Sequence, residues 1–207
     1  MKGIVFVMSG PSGAGKTSIL REVLRSNNNL DFSVSYATRE RRPEEVQGKD
    51  YFFVTPEEFK RLQKEDEFLE WAKVHGNYYG TSRHQVSKSV DLGRDILLDV
   101  DIQGAMSLMS KLRDAVYIFV APPSYEELIS RLQSRGTEDT QSLRTRLEDA
   151  KWELEQVKNF QYLVINDNLK HSVSQFEAII TAERLRVDRM VREKGERFLF
   201  EEKTYDN

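Results

Sequence analysis

The chain has 207 residues, 39% hydrophobic and 31% charged, which is enough for one folded unit with a substantial core. Its net charge of −3 leaves no global basic field to recruit nucleic acid, and the lack of cysteine excludes disulfides and cysteine-based zinc or nucleophilic chemistry. No apolar run approaches a membrane span and the N-terminal one is too short for a signal-peptide core, so the expectation is a cytoplasmic protein with neither a membrane nor a nucleic-acid partner.

Ile4 to Met8 is a continuous apolar run and reads as a strand buried on both faces. After a glycine-rich loop, Lys16 to Arg25 shows helical spacing, with Ile19, Leu20, Val23 and Leu24 on one face. Strand, loop, helix is the opening of a parallel α/β sheet. Phe32 to Thr38 alternates and predicts one strand; Tyr51 to Val54 and Phe68 to Val74 predict two more, with a helix starting at Pro56 between them. The aromatic-rich stretch 33–92 therefore reads as a small mixed, mainly antiparallel subdomain inserted into the sheet. The sheet resumes at Ile96 to Leu98 and Val116 to Val120, and Ala121 to Ser124 starts another helix. Gln133 to Ser142 is polar and predicts a mobile loop. Leu143, Leu147, Ala150, Leu154 and Val157 then recur at helical steps; the pattern is too short for a coiled coil and predicts packing onto the core. Tyr162 to Ile165 predicts a last buried strand, followed by a long charged helix from about Lys170.

The loop carries the first chemistry. Gly10-Pro11-Ser12-Gly13-Ala14-Gly15-Lys16-Thr17 fits G-x-x-x-x-G-K-[ST] in full. In such a loop the backbone N–H groups point inward and cradle phosphate oxygens, which is why its residues are small. The following helix adds its positive N-terminal end. Lys16 can reach the β- and γ-phosphates, and the Thr17 hydroxyl can ligate Mg²⁺. A second element supports this reading: the apolar run Ile96 to Leu98 ends in Asp99, a carboxylate where a magnesium site beside a phosphate loop needs one.

A phosphate loop indicates a nucleoside triphosphate but not its fate. GPSGAGKT, S-x-x-T-R-x-x-R from Ser35, GKDY from Gly48, FLEWA from Phe68, GNYYGT from Gly76, LDVDIQGA from Leu98, APPS, RLQSRGTE and VINDNL follow one another in the order of the guanylate kinases, from Gly3 to about Leu169. On these motifs the chain resembles a guanylate kinase. The resemblance implies an α/β fold: a P-loop parallel-sheet core flanked by helices, an inserted mixed α/β GMP-binding subdomain and a helical lid. The implied boundaries are core 1–32, GMP-binding subdomain 33–92, core 93–125, lid 126–155, and core with C-terminal helix 156–207. It implies transfer of the γ-phosphoryl group of MgATP to GMP, with dGMP a second acceptor.

The ATP set is then Gly10, Pro11, Ser12, Gly13, Ala14, Gly15, Lys16, Thr17 and Ser18, with Asn166 touching adenine by resemblance; a turn or helix-capping role for Asn166-Asp167 is the alternative. Thr17 and Asp99 are the metal candidates. On the acceptor side, guanine presents N1–H and a 2-amino group on one edge, and a carboxylate accepts both at once. Glu70 resembles the family's residue for this task, with Asp101 assisting. Ser35 and Thr81 offer hydroxyls to guanine O6. Arg39 and Arg42, with the phenols of Tyr51 and Tyr79, suit the GMP phosphate. Lys16, Arg42 and the lid arginines Arg131, Arg135 and Arg146 are the candidates for charge neutralisation on the transferring group, with both the 33–92 insert and the lid expected to close.

The chain departs from the family at Arg42-Pro43-Glu44-Glu45, where a glycine is usual after the proline, and at Ala37, where a hydroxyl is common. An intact loop argues against a guanylate-kinase-like protein-binding module, Glu70 with Ser35 against another monophosphate, and the lack of N-K-x-D against a GTPase-type switch. Oligomeric state stays open.

Overall fold

The computed structural model describes residues 2–74, 76–134 and 140–194, with the side chains of 140–146 and 192–194 outside that description. A five-stranded, all-parallel sheet forms the core: β1 (Val5–Ser9), β2 (Leu30–Phe32), β7 (Asp95–Asp99), β8 (Val116–Ala121) and β9 (Tyr162–Ile165), in the order β2-β7-β1-β8-β9. Because β1 is flanked by strands that follow it from opposite sides, a crevice opens beyond its carboxyl end, where open α/β sheets bind ligands. Helix α1 (Lys16–Ser26) and helix α7 (Leu169–Arg184) cover one face, burying Phe6, Met8, Ile19, Val23, Ile118 and Phe176. Helix α3 (Arg83–Asp91) and helix α4 (Ile102–Lys111) cover the other, over Val7, Ile96, Leu98 and Tyr117. Truncating a fully buried phenylalanine such as Phe6 in this core costs about 3–5 kcal/mol. At the amino end of the sheet, buried Asp95 accepts the Ile4 N–H at 2.8 Å and the Arg184 Nε–H at 2.8 Å, tying α7 to β1.

The second sheet comprises β3 (Tyr36–Ala37), β4 (Phe52–Phe53), β5 (Phe68–Val74) and β6 (Asn77–Ser82), in the order β4-β3-β6-β5. One pairing, β3 with β4, is parallel and the other two are antiparallel. Helix α2 (Pro56–Lys64) packs on it through Phe59, which stacks on Phe68 and Tyr78. Thr55 caps this helix by accepting the Glu58 N–H at 3.2 Å, with Pro56 in its first turn.

Three expectations change. The alternation from Phe32 to Thr38 is not one strand. It breaks at Ser33 to Ser35, where the chain leaves one sheet for the other: the Ser33 N–H goes to Leu97 O at 3.0 Å, and Ser35 O receives the Phe52 N–H at 2.9 Å. Strand β9 is half-exposed rather than buried, with Leu163 at 50% and Ile165 at 46%, because it is the edge strand and only the Val164 face is covered. The C-terminal helix ends at Arg184 and a separate α8 (Val187–Lys194) follows. Helix α5 (Tyr125–Gln133) starts as expected, capped by Ser124. Within α6 (Thr140–Glu155), Leu147, Ala150 and Leu154 pack on Leu128 and Leu132 of α5, so the seam is a core contact. Gln133 and Ser134 close α5, and 135–139 of the expected mobile loop lie outside the described residues.

Candidate active site

A cleft of about 380 Å³ lies between the carboxyl ends of β1 and β7 and the face of the second sheet. Its walls include the loop Gly10 to Gly13 and Gly15 to Ser18, and across from it Ser35, Arg39, Arg42, Tyr51, Glu70 and Tyr79, with Asp99 and Asp101 on the floor. A larger hollow, about 830 Å³, sits at the opposite end of the sheet against Lys2, Val90 and Lys111. It contains none of the phosphate-loop residues, so size does not identify the site.

One wall is backbone. Gly10, Gly13 and Gly15 have φ of 145°, 87° and 88°, a region that side chains disfavour. The space is also denied: a Cβ on Gly10 would lie 2.1 Å from Val120 O, and one on Gly15 would lie 2.1 Å from Asn166 Nδ2. Helix α1 begins directly after the loop, with no side-chain cap on its first N–H groups; those groups and the helix dipole face the cleft as an anion site. Lys16 Nζ donates to Gly10 O at 2.6 Å and to Pro11 O at 3.3 Å, so its ammonium is held at the loop mouth. Thr17 and Asp99 line the same cavity. Asp99 pairs with Met8 across β7 and β1. Burial pushes its carboxyl up; the Lys16 charge opposes this in part and the Asp101 charge adds to it.

Asn166 braces this loop. Its Nδ2 donates to Ala14 O at 2.8 Å, while its Oδ1 accepts from Ser172 at 3.2 Å. The helix-capping alternative falls to its neighbour instead: Asn168 caps α7 by accepting the His171 N–H at 3.2 Å. Arg131 lies behind the loop rather than in the cleft wall. Its guanidinium donates to Glu127 at 2.9 Å and to Asn166 O at 3.1 Å. Arg135 lies outside the described residues, and Arg146 lies in α6 where the side chains are not described.

The other wall is side chains. Glu70, at 4% exposure on β5, accepts the Thr81 hydroxyl through Oε1 at 2.5 Å. Burial pushes its carboxyl up to about 7; the Thr81 hydrogen bond opposes this, and the Asp101 charge adds to it. The pairing of β5 with β6 shifts register between Phe68 and Glu70, an irregularity of the strand at the point where Glu70 sits. Thr81 itself is behind Glu70 and does not line the cleft, whereas Ser35 does. Asp101 caps α4, accepting the Gly104 N–H at 2.7 Å.

Arg39 is fixed on three sides. Glu45 receives both arms of its fork, at 2.6 and 2.5 Å, and the guanidinium lies over Tyr51 and Phe53, 5.0 and 5.3 Å from the ring centres. Glu45 also accepts the Arg42 N–H at 2.9 Å, which organises the whole turn. Arg39 holds the Glu45 carboxyl below the usual range. Tyr51 and Tyr79 meet edge-on with ring centres 6.0 Å apart. Burial, then the nearby Asp99 charge, pushes the Tyr51 phenol up to about 12, so it stays protonated and can donate.

Sequence reasoning missed three residues. Glu45 was visible only as an acid in the turn after the arginines. Gly104 makes room for Glu70, since a Cβ there would lie 2.8 Å from Glu70 Oε2; a helical glycine that no turn requires was the available signal. Glu153 on α6 also lines the cleft; its position beside the Ala150–Leu154 stripe was the only hint.

A parallel sheet with a phosphate loop at its central strand, facing an inserted sheet that presents cations and a buried carboxylate, defines a P-loop kinase of the nucleoside monophosphate type. The guanylate kinase family model matches residues 2–183. A guanylate kinase of Thermotoga maritima is 50% identical over 203 residues, covering 98% of each chain. One of Rhizobium meliloti is 47% identical, over 91% of this chain and 86% of its own. The crystal structure of guanylate kinase from Anaplasma phagocytophilum superposes with a TM-score of 0.77 at 34% identity, covering 93% of both chains. The chain belongs to the guanylate kinase family.

Proposed function

We infer that this chain moves the γ-phosphoryl group of MgATP to GMP, giving ADP and GDP. The observation that carries the reading is a single cleft with a backbone anion cradle on one wall and, facing it, a buried Glu70 beside the fixed Arg39 fork. The two nucleotides meet phosphate to phosphate across it.

The donor is held by Gly10 to Ser18, with Asn166 acting through the loop rather than on the base. The acceptor phosphate goes to Arg39, Arg42, Tyr51 and Tyr79. Ionised Glu70 takes N1–H and the 2-amino group of guanine, oriented by Thr81. The O6 contact falls to Ser35, because the Thr81 hydroxyl already serves Glu70. Adenine would set its N1 acceptor against Glu70, so AMP should be rejected by roughly 10³-fold, the usual consequence of leaving buried polar groups unpaired. dGMP, which offers the same base and phosphate, is a second acceptor on this reading.

The acceptor oxygen is already anionic, so the protein's task is alignment and charge neutralisation rather than base catalysis. Lys16 and Arg42 serve it from the two sides. Arg131, Arg135 and Arg146 are the lid candidates; Arg131 holds Asn166 O and so reaches the donor only through closure. Thr17 and Asp99 offer a hydroxyl and a carboxylate, hard oxygens that suit Mg²⁺, which takes one or two protein ligands and fills the rest from phosphates and water. That ion supplies charge neutralisation on the β- and γ-oxygens when bound.

The proposed closure turns on the joint between the two sheets. Residues 33–35 connect the two sheets, and Gln85 on α3 bonds both the N–H and the carbonyl of Val34, at 3.0 and 2.9 Å. Of the 33–92 segment the proposed moving piece is the second sheet with α2, since α3 packs on the core sheet; 126–155 is the other. Among the described residues no helix is long and apolar enough to cross a membrane. ADP formation from MgATP with GMP, dGMP, AMP, UMP or no acceptor tests the reading: GMP should dominate, and near-equal AMP turnover would overturn it.

A further inference from the structure

Glu153 has no part in the roles above, yet α6 delivers it to the donor wall. Leu147, Ala150 and Leu154 seat that helix on Leu128 and Leu132 of α5. Those same leucines meet the loop: a Cβ on Gly13 would lie 3.1 Å from Leu128 and 3.3 Å from Leu132. Phosphate loop, α5 and α6 thus form one packed stack, and Glu153, next to Leu154, comes to line the cleft with Ser12 and Lys16. The Ser12 N–H and the Lys16 ammonium act on its carboxylate as favourable partners, while Asp101 and Asp149 act as like charges. Ser12 lies inside the loop whose inward N–H groups are the cradle for phosphate oxygens.

We propose that Glu153 is an internal anion of the donor site, competing with the donor triphosphate for the phosphate loop, so that its charge lowers donor affinity and donor binding displaces it. The inference rests on the donor-site reading of the loop. Two anions cannot take the same N–H, and a triphosphate brought beside a carboxylate is repelled unless that carboxylate moves or is neutralised. The carboxyl already stands at a disadvantage as an anion: burial raises it to about 7 against the pull of Lys16. A solvated helix face would carry no such cost. Because α6 also carries Arg146, seven residues or two turns earlier, moving Glu153 off the loop also shifts the segment that bears this arginine.

The test uses the full chain and its Glu153→Gln and Glu153→Ala variants. Calorimetry measures binding of a non-transferable ATP analogue with magnesium and, separately, of GMP. At pH 8, about one unit above the Glu153 midpoint of about 7, both variants should bind the analogue about five- to tenfold tighter, as expected for removing a carboxylate that is ionised there, with GMP affinity within about twofold. The KM for ATP should fall and the KM for GMP should not. Unchanged or weaker analogue binding overturns the proposal, and so does an equal shift for both ligands, which marks a general structural role. If Glu153→Ala loses its melting transition, the isosteric Glu153→Gln decides alone. Failure of the donor-site reading itself would look different, since the unaltered chain would then not bind the analogue.

Discussion

In the proposed function the two ends of the cleft recognise phosphate by different means. The donor end is backbone: three glycines at positive φ, a helix start, and one lysine folded over the mouth. The acceptor end is side chains gathered from separate elements. Arg39, Arg42 and Glu45 come from one turn, Tyr51 from the approach to β4, Glu70 from β5, and Tyr79 from β6. A backbone cradle binds any polyphosphate and cannot read a base. A side-chain wall can read a base, but each group must be held by another: Glu45 holds Arg39, Thr81 holds Glu70, and the missing side chain of Gly104 leaves Glu70 its room. In the proposed reading, selectivity therefore belongs to the acceptor end, while transfer draws most on Lys16 at the donor end, with Arg42 serving it from the other.

That division can be broken by experiment. The largest effect is expected at the donor end. Lys16→Met should lower kcat by roughly 10²–10³-fold, the scale for losing one preorganised charge at the transferring group, while leaving GMP binding unchanged. Weakened GMP binding in that variant would show that the two ends are not separable.

A smaller effect comes from pH at the acceptor end. Glu70 must be ionised to accept from guanine, and burial has raised it to about 7. GMP affinity should therefore fall about tenfold between pH 8 and pH 6, one decade per unit below the group's midpoint. GMP affinity measured over the same range in Glu70→Gln provides the control. The effect on stability has the opposite sense. The folded form holds the Glu70 proton to higher pH than the unfolded chain, whose glutamates titrate near ~4.3. The contribution of this group is fully present below that value and is lost as pH rises through about 7. A GMP affinity that is flat from pH 8 to pH 6 would remove Glu70 from the recognition edge.

The same division explains what the sequence made legible. Backbone recognition demands glycines at contiguous, fixed spacing, so Gly10 to Thr17 announces itself in one window. Side-chain recognition leaves residues scattered from Ser35 to Asp101, and only their order across a known family joined them. Supporting groups were hidden for a physical reason. Glu45, Gly104 and Glu153 act through what they touch, and contact across the fold has no local signature. For Asn166 the resemblance implied a contact to adenine, and its bracing of the loop stayed hidden because its partner Ala14 O is 152 residues away in the chain. The Ser33 to Ser35 break was masked because apolar alternation persists while the chain changes sheets. The exposure of β9 depended on strand order, which periodicity does not encode.

The most direct test of the account is the ratio of GMP to AMP turnover with MgATP, compared between the unaltered chain and Glu70→Ala. The account predicts a ratio of roughly 10³ or more that collapses in the variant mainly through a higher KM for GMP, with the KM for ATP unchanged. A ratio that survives the loss of the Glu70 carboxylate would contradict it.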